Sequence, residues 1–208
     1  VEQAMSLSDV IPVTLTADTN ALDADSVATA QTPSGAGNLT INGADASGGV
    51  ATFSAGRILT VLSAADDTGK TLTVTGTDVN GDTQTEEIVP ADTGTKTGTK
   101  YFKTVTQVAI DAAAAGNLSV GHNASCADVV FAGRARLKGV YLTSTATAGT
   151  IDFLRTSPTG TSMMGLSSVA SATATRDVVI PEDGVLFSDG IYVQYTVSTF
   201  LTLTAFHA

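Results

Sequence analysis

Few residues in this chain are equipped to do chemistry, and their spacing decides what that chemistry would be. Asp-Thr-Gly occurs at Asp67-Thr68-Gly69 and again at Asp92-Thr93-Gly94. The tripeptide carries the catalytic Asp of aspartic proteases, where two carboxylates share one proton. Those enzymes place one copy after a hydrophobic strand in each of two matching lobes. Here both copies fall in Thr-, Gly- and Asp-rich stretches of the same lobe, so they read as turns in which Asp bonds its own backbone and Gly relieves it. Asp78-Val79-Asn80-Gly81-Asp82 places oxygen ligands at the first, third and fifth positions of a calcium loop. The sixth position is Thr83 where an EF-hand needs Gly, and the twelfth is Val89 where it needs Glu. A hairpin turn is expected there and no dependence on metal; a loose cation contact at Asp78, Asn80 and Asp82, or at Asp66 and Asp67, is the most the residues offer.

His122 and Cys126 supply two ligands where zinc wants four, and the other histidine is the distant His207. As a nucleophile and base the pair lacks a third group to orient it. Gly94-Thr-Lys-Thr-Gly-Thr-Lys100 lacks the GxxxxGK[ST] spacing of a phosphate loop and runs into a strand pattern rather than a helix. Lys96, Lys100 and Lys103 read as solvated charges, at most a patch for an acidic partner. Glu86 and Glu87 are adjacent on a strand, which points them to opposite faces and prevents acid/base cooperation. The sequons Asn38-Leu-Thr40, Asn117-Leu-Ser119 and Asn123-Ala-Ser125 are the accidents of a Thr- and Ser-rich chain. No enzyme constellation survives, and neither catalytic residue, cofactor nor metal site is expected.

Composition narrows the partners. The 208 residues carry a net charge of -10, with 14% charged and 43% hydrophobic positions. Such an acidic chain is a poor ligand for phosphate backbones, which require clustered Lys and Arg to displace counterions. Aromatics are 5% and Trp is absent, which removes the best stacking platform for bases or sugar rings. Apolar runs such as Val129 to Ala132 fall far short of a bilayer span, so neither nucleic acid nor membrane is expected as a partner. No signal peptide is visible at Val1. A single cysteine, Cys126, excludes an intrachain disulfide framework.

About one residue in six is Thr, and 20 are Gly, a bias toward strands joined by tight turns. The expected fold is all-β: two small antiparallel β-sandwich or barrel-like lobes preceded by an extended N-terminal arm. The arm is residues 1–37, which contain five acidic side chains and no Lys or Arg. Within it Ile11, Val13 and Leu15 alternate inward, and Pro12, which cannot donate a ladder hydrogen bond, marks an edge strand. These three side chains are the candidate partner-binding residues, added as an edge strand to a neighbour. Residues Ala21 to Ala30 suggest one or two helical turns with Asn20 as N-cap. A first β module follows over 38–122, with strands near Leu39 to Ile41, Val50 to Phe53, Arg57 to Ser63, Thr71 to Thr77, Gln84 to Val89, Tyr101 to Ile110 and Leu118 to Val120. Asn80-Gly81 supplies the positive-φ pair of a hairpin over Thr71 to Val89. Residues 123–133 form a linker. A second module covers 134–208, with strands near Arg136 to Ser144, Thr150 to Leu154, Arg176 to Ile180, Gly184 to Phe187, Ile191 to Val197 and Phe200 to Phe206. Ala36-Gly-Asn-Leu-Thr-Ile41 is echoed once, as Ala115-Gly-Asn-Leu-Ser-Val120, too little for an array repeat.

The run Arg57-Ile-Leu-Thr-Val-Leu-Ser-Ala-Ala-Asp-Asp-Thr-Gly-Lys-Thr-Leu-Thr-Val-Thr-Gly-Thr-Asp-Val-Asn-Gly-Asp-Thr-Gln-Thr-Glu-Glu87, with Thr99-Lys-Tyr-Phe-Lys-Thr-Val-Thr106 and Ala115-Gly-Asn-Leu-Ser-Val-Gly121, resembles a module of virion structural proteins of tailed bacteriophages. The second lobe is similar to another such module through Leu137-Lys-Gly-Val-Tyr-Leu-Thr143, Ala148-Gly-Thr-Ile-Asp-Phe153, Val179-Ile-Pro-Glu-Asp-Gly184 and Gly190-Ile-Tyr-Val193. The resemblance covers roughly residues 38–208 and carries no catalytic residue. It implies a capsid decoration or cement protein on the outer surface of the phage particle, with the major capsid protein as partner. Two lobes of about 90 residues bury only about 60–65% of their unfolded surface and gain from self-association, and icosahedral shells offer threefold positions, so a homotrimer is expected. The alternative is a head or tail fibre or adhesin-type component that binds surface glycan through Tyr141, Tyr192 and Tyr195.

Overall fold

The computed structural model describes residues 9–170 and 173–208. The chain is all-β, in two antiparallel sheets compatible with a β-sandwich-like fold. Its strands are β1 (Ile11–Thr16), β2 (Asp23–Gln31), β3 (Gly37–Asn38), β4 (Ala46–Ser47), β5 (Val50–Ser63), β6 (Leu72–Thr77), β7 (Thr83–Ile88), β8 (Gly94–Ile110), β9 (Leu118–Phe131), β10 (Ala135–Ser144), β11 (Gly149–Arg155), β12 (Thr161–Ser168), β13 (Ala174–Val179), β14 (Val185–Phe187), β15 (Ile191–Thr196) and β16 (Phe200–His207). They divide into two compact units, one of Asp18–Asp128 and one that joins the described residues up to Ala17 with Val129–Ala208.

In the Asp18–Asp128 unit the order is β9-β5-β8-β6-β7, with β2 on β9, β3 on β8 and β4 on β5. Central β5 is covered on both edges and for much of its length on both faces, so its pattern passes from alternation into a buried run, as in strands with no wet side. β6 keeps the period-two pattern: Leu72 and Val74 are fully buried, while Thr73, Thr75 and Thr77 remain partly exposed. The core gathers Leu59, Val61, Phe102, Val105 and Val108 around these two. The echoed sequence takes equivalent roles, since Leu39 and Ile41 enter the same core as Leu118 and Val120.

In the other unit one antiparallel path runs β1-β16-β10-β13 with β14 on β10, and a second runs β12-β11-β15. Leu137, Val140, Leu142, Ile151, Phe153, Phe187, Val193 and Leu203 are fully buried. The rings of Tyr195 and Phe200 meet at 4.7 Å, and those of Phe131 and His207 at 4.9 Å, both within the range of favourable aromatic pairing.

Several expected boundaries are revised. Of the arm drawn over 1–37, residues 1–8 lie outside the described residues. The rest is not an extended tail: β1 completes one unit and β2 belongs to the other, where Val27 and Ala28 are fully buried. The helical turns expected over Ala21 to Ala30 are the strand β2 instead. β-Branched Val27 and Thr29, and acidic Asp23 and Asp25 with their local backbone bonding, disfavour a helix, and the exposed edge of β9 offers pairing at Asp23↔His122, Ala28↔Val120 and Gln31↔Leu118. The linker expected over 123–133 is strand as far as Phe131, and the chain passes between units at Asp128. Ala127 and Cys126 in that stretch pair with Gly56 and Arg57 of β5, which is why it does not behave as a connector. The hairpin β6-β7 forms as expected, but through a five-residue loop in which Gly81 has φ of 88° and Asn80 does not share the left-handed region. Strand β12, which sequence reading omitted, pairs with β11 from Gly149↔Ser168 to Arg155↔Thr161.

Candidate functional site

The candidate partner-binding residues Ile11, Val13 and Leu15 all lie on β1, which pairs antiparallel with β16 of its own chain. The register is Ile11↔His207, Val13↔Ala205 and Leu15↔Leu203. β1 sits at the edge of its sheet, the position that tolerates Pro12 because an outward-facing N–H is not needed for pairing. Val13 and Leu15 are half-buried and Ile11 is 54% exposed. Thr14 and Thr204 touch on the opposite face, Oγ1 to Oγ1, at 2.9 Å.

The polar groups that suggested chemistry are spent on fixing loops. Asp67 is fully buried: Ser63 Oγ lies 2.7 Å from Oδ2, while the Ala115 amide donates to Oδ1 at 2.7 Å and Lys70 Nζ sits 2.8 Å from that oxygen. Burial pushes its carboxyl up, but the bonds from Lys70, Ala115 and Ser63 outweigh this and hold it below the ordinary value. Asp66 accepts the Thr68 amide at 3.1 Å and the Thr68 hydroxyl at 2.7 Å. Asp92 of the second Asp-Thr-Gly is exposed, so one carboxylate is consumed in a buried clamp while the other faces solvent. In the turn after β6, Asp78 Oδ1 accepts the amides of Asn80 at 2.8 Å and Asp82 at 3.0 Å. That carboxylate is bonded into the turn, and no group of three or more His, Cys, Asp or Glu poised for a metal occurs among the described residues.

Glu86 and Glu87 point to opposite faces as expected, Glu86 buried and Glu87 exposed. Glu86 Oε1 accepts the Thr99 amide at 2.5 Å and the Thr99 hydroxyl at 2.9 Å, and Oε2 accepts the Lys100 amide at 3.3 Å. These amides lie where β8 carries extra residues against β5, between Ile58↔Tyr101 and Thr60↔Thr97, so the carboxylate satisfies backbone donors that a bulge leaves without ladder partners. Lys100 Nζ donates to the Thr85 carbonyl at 2.7 Å, and Lys103 Nζ to the Ser54 carbonyl, which takes two of the three lysines out of a free basic patch.

His122 and Cys126 are not brought together as a reactive pair. The imidazole is buried, with Nδ1 donating to the Asn123 carbonyl at 3.0 Å, Nε2 3.2 Å from Asp45 Oδ2, and the Phe53 ring edge-on at 5.5 Å. Cys126 is fully buried and its thiol is pushed up to about 12 by burial, which leaves it without the thiolate that nucleophilic attack requires. A cavity of about 290 Å³ beside His122 is lined by Asn20, Leu22, Asp23, Ala44 and Asp45. Of the three tyrosines considered for glycan stacking, Tyr192 and Tyr195 are buried and only Tyr141, 43% exposed, reaches the surface.

Sequence reading missed a buried ion pair. Arg57, fully buried in β5, donates from Nε to Asp18 Oδ2 at 3.1 Å and holds the same oxygen with Nη2 at 2.9 Å. Nη2 also donates to the Asn20 carbonyl at 2.7 Å and Nη1 to the Asn123 carbonyl at 3.1 Å. Burial raises the Asp18 carboxyl, yet the Asn20 amide, Ser54 and Arg57 together hold it below the ordinary value. The available signals were a single Arg inside the apolar run Arg57-Ile-Leu-Thr-Val-Leu and the Asx-turn spacing of Asp18 and Asn20.

Compared with known proteins, the chain matches no protein-family model, no curated protein and no solved structure.

Proposed function

We propose that this chain is a non-enzymatic structural protein of a tailed-bacteriophage particle: a capsid decoration or cement protein that sits on the outer surface of the virion, binds the major capsid protein and works as a homotrimer. The observation that carries the reading is the disposition of its polar groups. Asp18, Arg57, Asp67 and Glu86 are buried and bonded into clamps that fix strands and loops, while the surfaces left for a partner are strand edges and Thr-bearing sheet faces. One such face carries Thr16, Thr202, Thr143 and Thr175 in a single row across four strands. A protein built this way offers rigid, two-sided β surfaces rather than a reaction centre. The net charge of -10 is compatible with a place outside a DNA-filled shell, where it neither competes for nor collapses onto the genome.

Gold-labelled antibody to the chain, applied to intact particles purified from the source that encodes it, tests the location. Label distributed over the head is expected. Purified particles that lack the chain, or label confined to the tail, would overturn the decoration reading. Native mass spectrometry at micromolar concentration tests the trimer, and a strictly monomeric protein both free and on particles would remove it.

A further inference from the structure

We propose that β1 is an exchangeable strand, donated by one copy of this chain to the β16 edge of a second copy through the same six-residue register that it forms in cis. The inference rests on the self-association part of the reading above and does not depend on where in a particle the protein resides.

Four observations converge on it. The unit that β1 completes is assembled from two pieces of sequence separated by the whole of Asp18–Asp128, so β1 is joined to its sheet only by way of another folded unit. β1 is an edge strand, which can leave without unthreading anything. The acceptor survives that departure, because β16 stays paired on its other side with β10 from Leu137↔His207 to Ser144↔Phe200. Finally, the movable segment has a defined end: Asp18, two residues beyond β1, is locked to Arg57 at 2.9 Å, so the strand up to Thr16 is the part free to choose a partner.

The chemistry of recognition is identical in cis and trans. Every copy presents the same edge amides and carbonyls on β16 and the same apolar positions, Leu203 and Ala205, for Leu15 and Val13. An empty β16 edge would be a template for any passing strand, so it is filled by its own β1 or by a neighbour's. Exchange of an edge element creates an interface from contacts already optimised in the monomer, which is why swapping is a low-cost route to closed oligomers. Within a ring or on a shell, where copies are held close, the trans pairing gains the advantage of effective concentration.

The touching pair Thr14 and Thr204 provides the test. Thr14→Cys and Thr204→Cys are made in separate chains, purified reduced, mixed, incubated and oxidised; the buried Cys126 serves as the internal unreactive thiol. Exchange predicts an interchain disulfide linking the two variants, absent when Thr14→Cys is instead mixed with Thr175→Cys, which lies on the opposite edge of the same sheet. The double variant in one chain reports whether the thiols are in reach in cis; its closure as a monomer, with no cross-link in the mixture, would overturn the proposal. A second readout needs no cysteine. Leu15→Asp should weaken self-association at least tenfold by analytical ultracentrifugation, and an unchanged dissociation constant would refute a role for β1. If the wild-type protein oligomerises but neither readout responds, exchange is wrong while self-association stands; if it never oligomerises, both fall.

Discussion

Replacing Asp18 with Ala should destabilise the Asp18–Asp128 unit by about 3–5 kcal/mol, the cost of stranding a buried cation. The geometry explains the size. Arg57 is fully buried and Asp18 nearly so, with Nη2 to Oδ2 at 2.9 Å; at an effective dielectric of about 20 such a pair attracts by about 6 kcal/mol, part of which offsets the desolvation of both ions. The two carbonyls that also receive the guanidinium, Asn20 and Asn123, keep its donors occupied but cannot neutralise its charge. Replacing both partners, as Asp18→Leu with Arg57→Met, should therefore cost less than Asp18→Ala alone, because no unpaired charge remains inside. Urea unfolding followed by circular dichroism gives the stabilities, and hydrogen exchange of peptides from β5 and β9 shows which unit responds. The dependence on pH has a defined sign. Because the folded Asp18 carboxyl lies below its ordinary 3.8, its contribution is complete above that value and is lost as pH falls through the lower folded value. The gap between wild type and Asp18→Asn should accordingly be constant near neutrality and close in acid. An Asp18→Ala variant within 1 kcal/mol of wild type, or a double variant less stable than Asp18→Ala, would refute the reasoning.

Glu86→Ala removes the acceptor for the Thr99 and Lys100 amides and should cost about 3–6 kcal/mol in urea unfolding, since the two bonds to a charged group are worth about 1.5–3 kcal/mol each. Gly121→Ala would set a Cβ 1.9 Å from the Asp23 carbonyl oxygen; β2 must shift, so a loss of about 1–3 kcal/mol is expected, against a change within about 0.5 kcal/mol for Val179→Thr, whose side chain is 79% exposed. Cys126 should resist a thiol reagent at neutral pH and react on addition of denaturant, as its burial and raised pKa of about 12 require; fast labelling of the native protein would contradict its placement. Thermal unfolding should be unmoved by a chelator, because Asp78 already accepts the Asn80 and Asp82 amides; a fall of several degrees restored by calcium would show a cation site there.

Strands carrying the period-two signal were legible in the sequence. Leu72 and Val74 against Thr73 and Thr75 can be read directly, and the structure places them as read. What escaped were segments whose pattern is set by long-range partners. β2 has only Val27 and Ala28 to mark it as core, and its strand character comes from the edge of β9, some ninety residues away. β12 (Thr-Ser-Met-Met-Gly-Leu-Ser-Ser) breaks its alternation with the adjacent Met163 and Met164 and carries Gly165 at its centre, so its placement depends on β11 rather than on its own propensity. The division into units was hidden for a related reason: no composition shift marks Asp128, since the chain crosses from one unit to the other inside a continuous strand.

The polar residues show the same limit from the other side. Asp, Thr, Gly and Asn are the residues of catalytic and calcium-binding motifs and equally those of tight turns, so the types alone do not separate the two uses. Burial and partners do. Asp67 and Asp92 sit in identical tripeptides, yet the first is enclosed and bonded to Ser63, Ala115 and Lys70 while the second faces solvent. A two-carboxylate mechanism needs both acids in one environment that divides a proton between them, and these environments are opposite. The same reasoning ranks the strands. Ordering six residues of β1 costs about 6–12 kcal/mol, and a strand paired on one side only, with Ile11 more than half exposed, recovers less of that cost than β5, which is paired on both sides and buried along most of its length. β1 is therefore held less firmly than the central strand, as are the other strands that end a path, β7, β12 and β13, and the exchange proposed for residues 11–16 draws on that difference.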